Sequence, residues 1–218
     1  MSTSQTQATT SGGTPLSAKG QRTRQRIFDA AFSLFAENGF QAVSLRDIAA
    51  RVGVTHVTVL HYFASKEVLL TDLMLHRDEE ERRAAGEFLA RDHAADPEFR
   101  GLHAPVLRWF LHRLTVNEAE QGAVPLFLKI STEAVDAGHP AHQHFVRRYE
   151  LLLRLLTEAF AEEFALRGPG PDIAAQTAAS HLIALSDGLP FQSIYSTEPR
   201  STVAAVWEYL QLLGIVTA

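Results

Sequence analysis

Between Ser44 and Lys66 the chain reads SLRDIAARVGVTHVTVLHYFASK, with apolar side chains at Leu45, Ile48, Ala49 and Val52 and, past Gly53, at Val54, Val59 and Phe63. Steps of three and four residues put such side chains on one helix face, so the pattern predicts two short helices joined by a tight turn. The ends carry their own signals. Ser44 suits an N-cap, and Asp47 three positions on completes an S-x-x-D capping box. Gly53 stands where a helix commonly ends in a left-handed residue, and Thr55 can cap the next helix after a three-residue turn. The expectation is a helix-turn-helix.

The same periodicity organises the flanks. Ile27, Ala30, Ala31, Leu34 and Phe35 form the stripe of a preceding helix that ends at Asn38-Gly39. Ser65 caps a fourth helix, expected from Lys66 to about Leu89, amphipathic at first and then charged from Arg77 to Arg83. As the only covalent link between this module and the body of the chain, the fourth helix is expected to carry any signal between them.

Five further helices are set out by their punctuation. One starts at Asp96-Pro97 and carries Val106 to Leu114, and one spans Gly122 to Val135. A long one from Pro140 through Phe164 stops at Gly168-Pro169-Gly170-Pro171. The next is capped by Asp172 and interrupted near Asp187-Gly188-Leu189-Pro190, and the last is capped by Ser201. No strand alternation or internal repeat occurs, so the expected fold is all-α. It has a disordered Ser/Thr/Gln tail at 1–18, a three-helix module at 19–65, a connecting helix at 66–95 and a larger helical domain at 96–218.

Removing the apolar set from the second helix of the turn motif leaves Thr55, His56, Val57, Thr58, Leu60 and His61 facing outward. Thr and His bond base edges or phosphates, and Val57 and Leu60 suit thymine methyl groups. An ordinary helical hairpin with a polar face fits the spacing equally well.

The run from Phe35 to Leu70 closely resembles the DNA-binding domain of the TetR/AcrR family of transcriptional regulators. The likeness is carried by Asn38-Gly39-Phe40, Ser44-Leu45-Arg46-Asp47-Ile48-Ala49, Val52-Gly53-Val54-Thr55, His61-Tyr62-Phe63 and Ser65-Lys66-Glu67. It covers about a fifth of the chain. The resemblance implies a homodimer paired through its last two long helices, reading a palindromic double-stranded operator and released by a small molecule, most often as a repressor. Arg24, near the operator backbone, and Ser44, Arg46 and Lys66 complete the candidate DNA-binding set. Leu60 stands where many members have a tyrosine, and Val57 where a small residue is common. The lost hydroxyl is worth on the order of 1 kcal/mol, so these changes bear on which sequence is read rather than on whether DNA binds.

Composition adjusts this picture without replacing it. The 218 residues are 46% hydrophobic and 21% charged, as in a globular protein long enough for one or two domains. There is no 18-residue apolar run, no basic-then-apolar leader and no cysteine, so neither a membrane span nor a disulfide is expected and the cytoplasm is the default location. The net charge of −5 is unevenly spread. Lys19, Arg22, Arg24, Arg26, Arg46, Arg51 and Lys66 stand against Asp29, Glu37 and Asp47, a local +4 that leaves −9 after Lys66. A basic module joined to an acidic body suits a protein that docks one end on phosphate.

The body offers little catalytic chemistry. His142 and His144 lie about 200° apart on a helix and cannot face one ion, and no carboxylate follows at a matching spacing beside His139 and His142, so no metal and no cofactor are expected. There is no G-x-S-x-G, H-E-x-x-H, P-loop or dinucleotide glycine pattern, and no enzyme is expected. Trp109, Phe110, Phe127, Phe145, Tyr149, His181 and Phe191, drawn from several helices, are the candidate lining of a pocket for a largely apolar effector, although aromatic stripes also build plain cores. Two other functions stay open: a small-molecule sequestering protein without sequence-specific DNA binding, and an enzyme using the aromatic cavity.

Overall fold

The computed structural model describes residues 16–91, 93, 96–119, 123–167 and 173–217. The expected tail over 1–15, the Gly168 to Pro171 terminator, the Asp172 cap and the Gly122 helix start lie outside them. All elements among the described residues are helical, and the chain divides into two compact units.

The first unit holds the described residues up to Glu79 together with Pro125–Phe145. Helix α1 (Ala18–Asn38) starts at Ser17, whose hydroxyl accepts the Gly20 N–H, so Ala18 belongs to a helix and not to a tail. It stops at Gly39, where a φ of +83° takes the chain out of helical space. Helix α2 (Leu45–Val52) has the full capping box: Ser44 Oγ accepts the Asp47 N–H at 3.3 Å and Asp47 Oδ2 accepts the Ser44 N–H at 2.8 Å. Gly53 closes it in the left-handed conformation, its N–H returning to the Ala49 and Ala50 carbonyls. Helix α3 (His56–Tyr62) begins at Thr55, whose hydroxyl accepts the Thr58 N–H at 3.1 Å. Helix α4 (Lys66–Leu89) comes next, with Ser65 Oγ accepting the Val68 N–H.

One core joins these elements. Ile27, Phe28, Ala31 and Phe35 of α1 meet Ile48 and Val52 of α2, Val59 of α3, Phe63, and Leu69, Leu70 and Met74 of α4. Leu126 and Ile130 of α6 (Ala123–Glu133), then Ala134, Ala141, and Phe145 at the start of α7 (His142–Arg167), are buried in this same core. A stretch of chain expected to belong wholly to the body therefore completes the N-terminal unit. The chain passes between the units within α4, α6 and α7, and not through α4 alone.

The second unit contains Glu80–Val124 and the described residues from Val146 onward. Its core is built from Phe88 of α4, Leu107 and Leu111 of α5 (Pro105–Ala119), Leu156 and Phe160 of α7, Ala178 and Leu182 of α8 (Ala175–Ser193), and Val206 and Leu210 of α9 (Thr202–Leu212). Two expectations are corrected here. Asp96-Pro97 opens only a 3₁₀ turn (Pro97–Phe99), after which Gly101 at φ +86° redirects the chain and Pro105 begins α5. The buried Glu163 carboxylate accepts the His103 and Ala104 N–H groups at 2.6 and 2.7 Å, a favourable anion at the start of that helix. Helix α8, in turn, runs through Asp187-Gly188-Leu189-Pro190 without interruption. Pro190 has no N–H to donate to the carbonyl four residues earlier, and the helix nevertheless continues through it to end three residues later at Ser193.

Candidate nucleic-acid interface

The outward face of α3 is dictated by the residues its inward face must bury. Val59 and Phe63 are fully buried, which fixes the roll of a seven-residue helix. Val57 is then 73% exposed, His61 is exposed, and His56, Thr58 and Leu60 are partly so. The Thr55 and Thr58 hydroxyls lie 2.9 Å apart, so the cap and the first turn share one hydrogen-bonded pair at the edge of this face. Ser44 and Arg46 are exposed at the start of α2. These eight expected DNA-binding residues lie on two consecutive capped helices.

The two remaining candidates are more engaged. The Arg24 guanidinium bonds Asp72 at 3.1 Å and lies over the Phe28 and Phe63 rings at 4.4 and 5.0 Å, tying α1 to α4 and to the residue that ends α3. Lys66 Nζ donates to the Phe40 carbonyl at 2.8 Å and sits 4.2 Å above the Phe40 ring. Partners far away in sequence give both residues, expected near phosphate, a part in holding the module together.

Residues that the sequence pattern does not single out hold the turn between α1 and α2. Glu133, at the end of α6, accepts the Phe40 N–H at 3.0 Å and the Gln41 N–H at 3.1 Å through Oε2. Lys129 donates to the Glu37 carbonyl. The His139 ring packs edge-on against Phe40 at 5.0 Å. A separation of 93 positions between Phe40 and Glu133 leaves no local periodicity to find.

The three histidines weighed as metal ligands go separate ways. His139 Nδ1 accepts the Ala141 N–H, His142 Nδ1 lies 2.8 Å from the Ala134 carbonyl, and His144 Nδ1 lies 3.2 Å from Asp78 Oδ2. With Nδ1 of His139 an acceptor, the neutral ring carries its proton on Nε2, 3.7 Å from a Glu133 oxygen. Burial pushes the His139 pKa below 6.5, against the opposing pull of Glu133 and Asp136. A depressed histidine resists protonation in the folded state while the unfolded chain takes the proton up. Stability is then highest above about pH 6.5 and falls as the pH drops below it. His139→Phe, which keeps a ring on Phe40, is expected to show a smaller loss of melting temperature between pH 7.5 and pH 5.5, conditions about one unit either side of an ordinary histidine, than the parent does. Equal losses in the two proteins would show that His139 is not responsible.

Comparison with known proteins places this geometry. Residues 27–73 match the family of bacterial regulatory proteins described as the tetR family. Over 191 residues, 84% of this chain and 87% of the relative, the chain is 30% identical to the HTH-type transcriptional regulator BetI of Paraburkholderia phytofirmans. This protein belongs to the TetR family. It is also 34% identical over 73 residues to the HTH-type transcriptional regulator UidR of Escherichia coli, a match spanning only 36% of that relative's length. Among solved structures, a TetR-family regulator from Agrobacterium tumefaciens superposes with a TM-score of 0.70 at 19% identity, covering 91% of this chain and all of that one. A transcriptional regulator from Saccharomonospora viridis in complex with choline superposes at 0.59 and 18% identity, covering 88% and 96%. These last two likenesses concern the fold.

In this TetR-family chain the seven aromatic candidates for an effector site are divided between the two units. Phe127 and Phe145 pack edge-on at 5.9 Å in the first unit. In the second, the Tyr149 hydroxyl donates to Asp187 at 2.8 Å, and desolvation and this bond push its pKa up to about 12. His181 lies beside Tyr209, Phe110 packs on the core, and Phe191 is exposed against Tyr195. Trp109 alone of the seven lines a cavity of about 190 Å³, together with Ala84, Glu87, Phe88, Arg91, His112 and Arg113. Phe88 stacks on His112 there at 4.9 Å, and Arg113 pairs with Glu81 at 3.0 Å. Aromatic side chains alone do not point to this lining, because most of its members are charged or polar.

Proposed function

We propose that this protein is a sequence-specific DNA-binding transcriptional regulator that acts as a homodimer and responds to a small molecule, with α3 as the reading helix. The observation that carries the reading is the outward face of α3. Its residues are presented by a capped helix-turn-helix whose opposite face is buried, on a module of local charge +4. The regulators to which the chain is similar support it. Thr55, His56, Val57, Thr58, Leu60 and His61 read bases or line the groove, Ser44 and Arg46 meet phosphate from α2, and Arg24 and Lys66 add positive charge while bracing the module.

A dimer is supported by apolar side chains left on the surface at and after α8 and on α9. Ile194, Tyr195 and Leu212 are between 63% and 83% exposed. A two-fold pair would set two reading helices on half-sites of a palindrome. For the effector, the 190 Å³ cavity is smaller than the roughly 300–1,000 Å³ of most drug-sized sites. Phe88 and Trp109 give this half-open pocket an apolar side, and Glu87, Arg91, His112 and Arg113 a polar one. No helix among the described residues is long and apolar enough to cross a membrane.

Hydroxyl-radical footprinting on the DNA flanking the gene is the test. Two protected windows about 10 base pairs apart, or a multiple of that, are expected for a dimer on a palindrome. Uniform cleavage along every flanking fragment at saturating protein would overturn the reading.

A further inference from the structure

We infer that Glu133 is a positioning residue for DNA binding: from the end of α6 its carboxylate holds the Phe40 and Gln41 amides of the α1–α2 turn and so sets the pose of α2 and α3. The inference deepens the regulator reading and rests on it. Both Glu133 oxygens approach the Phe40 N–H, at 3.1 and 3.0 Å, and Oε2 also accepts from Gln41 at 3.1 Å. From the other side Lys66 donates to the Phe40 carbonyl at 2.8 Å. One turn thus has its N–H groups held by an acid and its carbonyl held by a cation, and hydrogen bonds to charged groups are the stronger kind.

The local chain is shaped for this carboxylate. Gly39 has a φ of +83°, and a Cβ added there would lie 2.2 Å from Glu133 Oε1, so a side chain at this position would displace the acid. The Ser44 cap of α2 comes three residues after Gln41. Fixing the turn therefore fixes where α2 starts, and α3 succeeds α2 after the short turn at Gly53. Lys129 and His139 reach the same turn from the same stretch of chain, 125–145. That stretch is continuous on both sides with helices of the second unit, through α6 and α7. A displacement of α6 would act on the reading helix through this carboxylate, in addition to any movement of α4.

The test uses the full chain and the variants Glu133→Gln, which keeps the shape and one acceptor, and Glu133→Ala. In amide hydrogen exchange, exchange at Phe40, Gln41 and along α2 is expected to rise roughly tenfold or more in the alanine variant, as loss of a charge-assisted bond implies, and less in the glutamine variant. Exchange in α5, α8 and α9 should stay unchanged. The second readout is binding to operator duplexes whose half-site separation is altered by one base pair either way. The parent is expected to discriminate among them, and Glu133→Ala to lose that discrimination while keeping its affinity for scrambled duplex. A purely structural carboxylate would lower stability without changing the preferred spacing. Unchanged exchange at Phe40 and Gln41 overturns the hold itself, and altered exchange with unchanged spacing preference overturns its role in DNA binding. If the parent prefers no duplex, the regulator reading fails with its DNA role, and the exchange result still decides whether Glu133 holds the turn.

Discussion

Replacing His56 and Thr58 together with alanine is expected to cost about 2–6 kcal/mol of operator affinity, at about 1–3 kcal/mol for each base no longer bonded. Binding to scrambled duplex should be nearly unchanged. The reasoning is geometric. Val59 and Phe63 take the buried side of α3, Val57 and His61 stand opposite them, and His56 and Thr58 are partly exposed in the first turn of the helix. Neither substitution removes the helix cap, because the Thr55 hydroxyl accepts the backbone N–H of residue 58, which alanine retains. The loss should thus appear in specific affinity and not in helicity, so anisotropy titrations and circular dichroism on the same samples separate the two. Full operator affinity in the double variant would mean that the reading surface has been placed on the wrong residues.

Phe63→Ala is expected to destabilise the N-terminal unit by about 3–5 kcal/mol, the usual range for deleting a buried aromatic ring. Phe63 is fully buried immediately after α3, with its ring 5.1 Å from Phe28 and edge-on to it. The Arg24 guanidinium lies over both rings and is anchored by Asp72, so the truncation also removes one face of a cation–π pair. Against a typical total of about 5–15 kcal/mol this is a large fraction. Urea unfolding followed at the N-terminal unit should show the midpoint shift, and a loss under about 1 kcal/mol would show that the site collapses around the missing ring.

The elements that could be read from sequence are those fixed by neighbouring residues. Ser44 with Asp47, Gly53 and Thr55 bound α2 and α3 because a cap is a contact over a few positions, and Ser65 marks the start of α4 in the same way. The outward face of α3 was legible because Val59 and Phe63 repeat at helical spacing. The features that could not be read depend on distant partners. The bracing parts of Arg24 and Lys66 are of this kind: Arg24 bonds Asp72, 48 positions away, and Lys66 bonds the Phe40 carbonyl. Glu133 gave no signal at all, since nothing in its neighbourhood marks it as the acceptor for a turn in another part of the chain. Pro190 misleads in the opposite sense: a residue that weakens a helix need not end it, and α8 runs through Pro190 to Ser193. The surroundings of the aromatic candidates were not legible because spacing reports which face of a helix is apolar and not which other helix it meets.

The most direct test of the central claim is fluorescence anisotropy of the purified full chain on duplexes tiled from the DNA flanking its gene, with scrambled duplex at the same salt concentration as the reference. The account predicts tight binding confined to one palindromic duplex, stronger than the scrambled reference by a factor on the order of a thousand or more. Equal, weak binding to every duplex, rising and falling only with salt, would leave nothing but the electrostatics of the basic module and would contradict the claim.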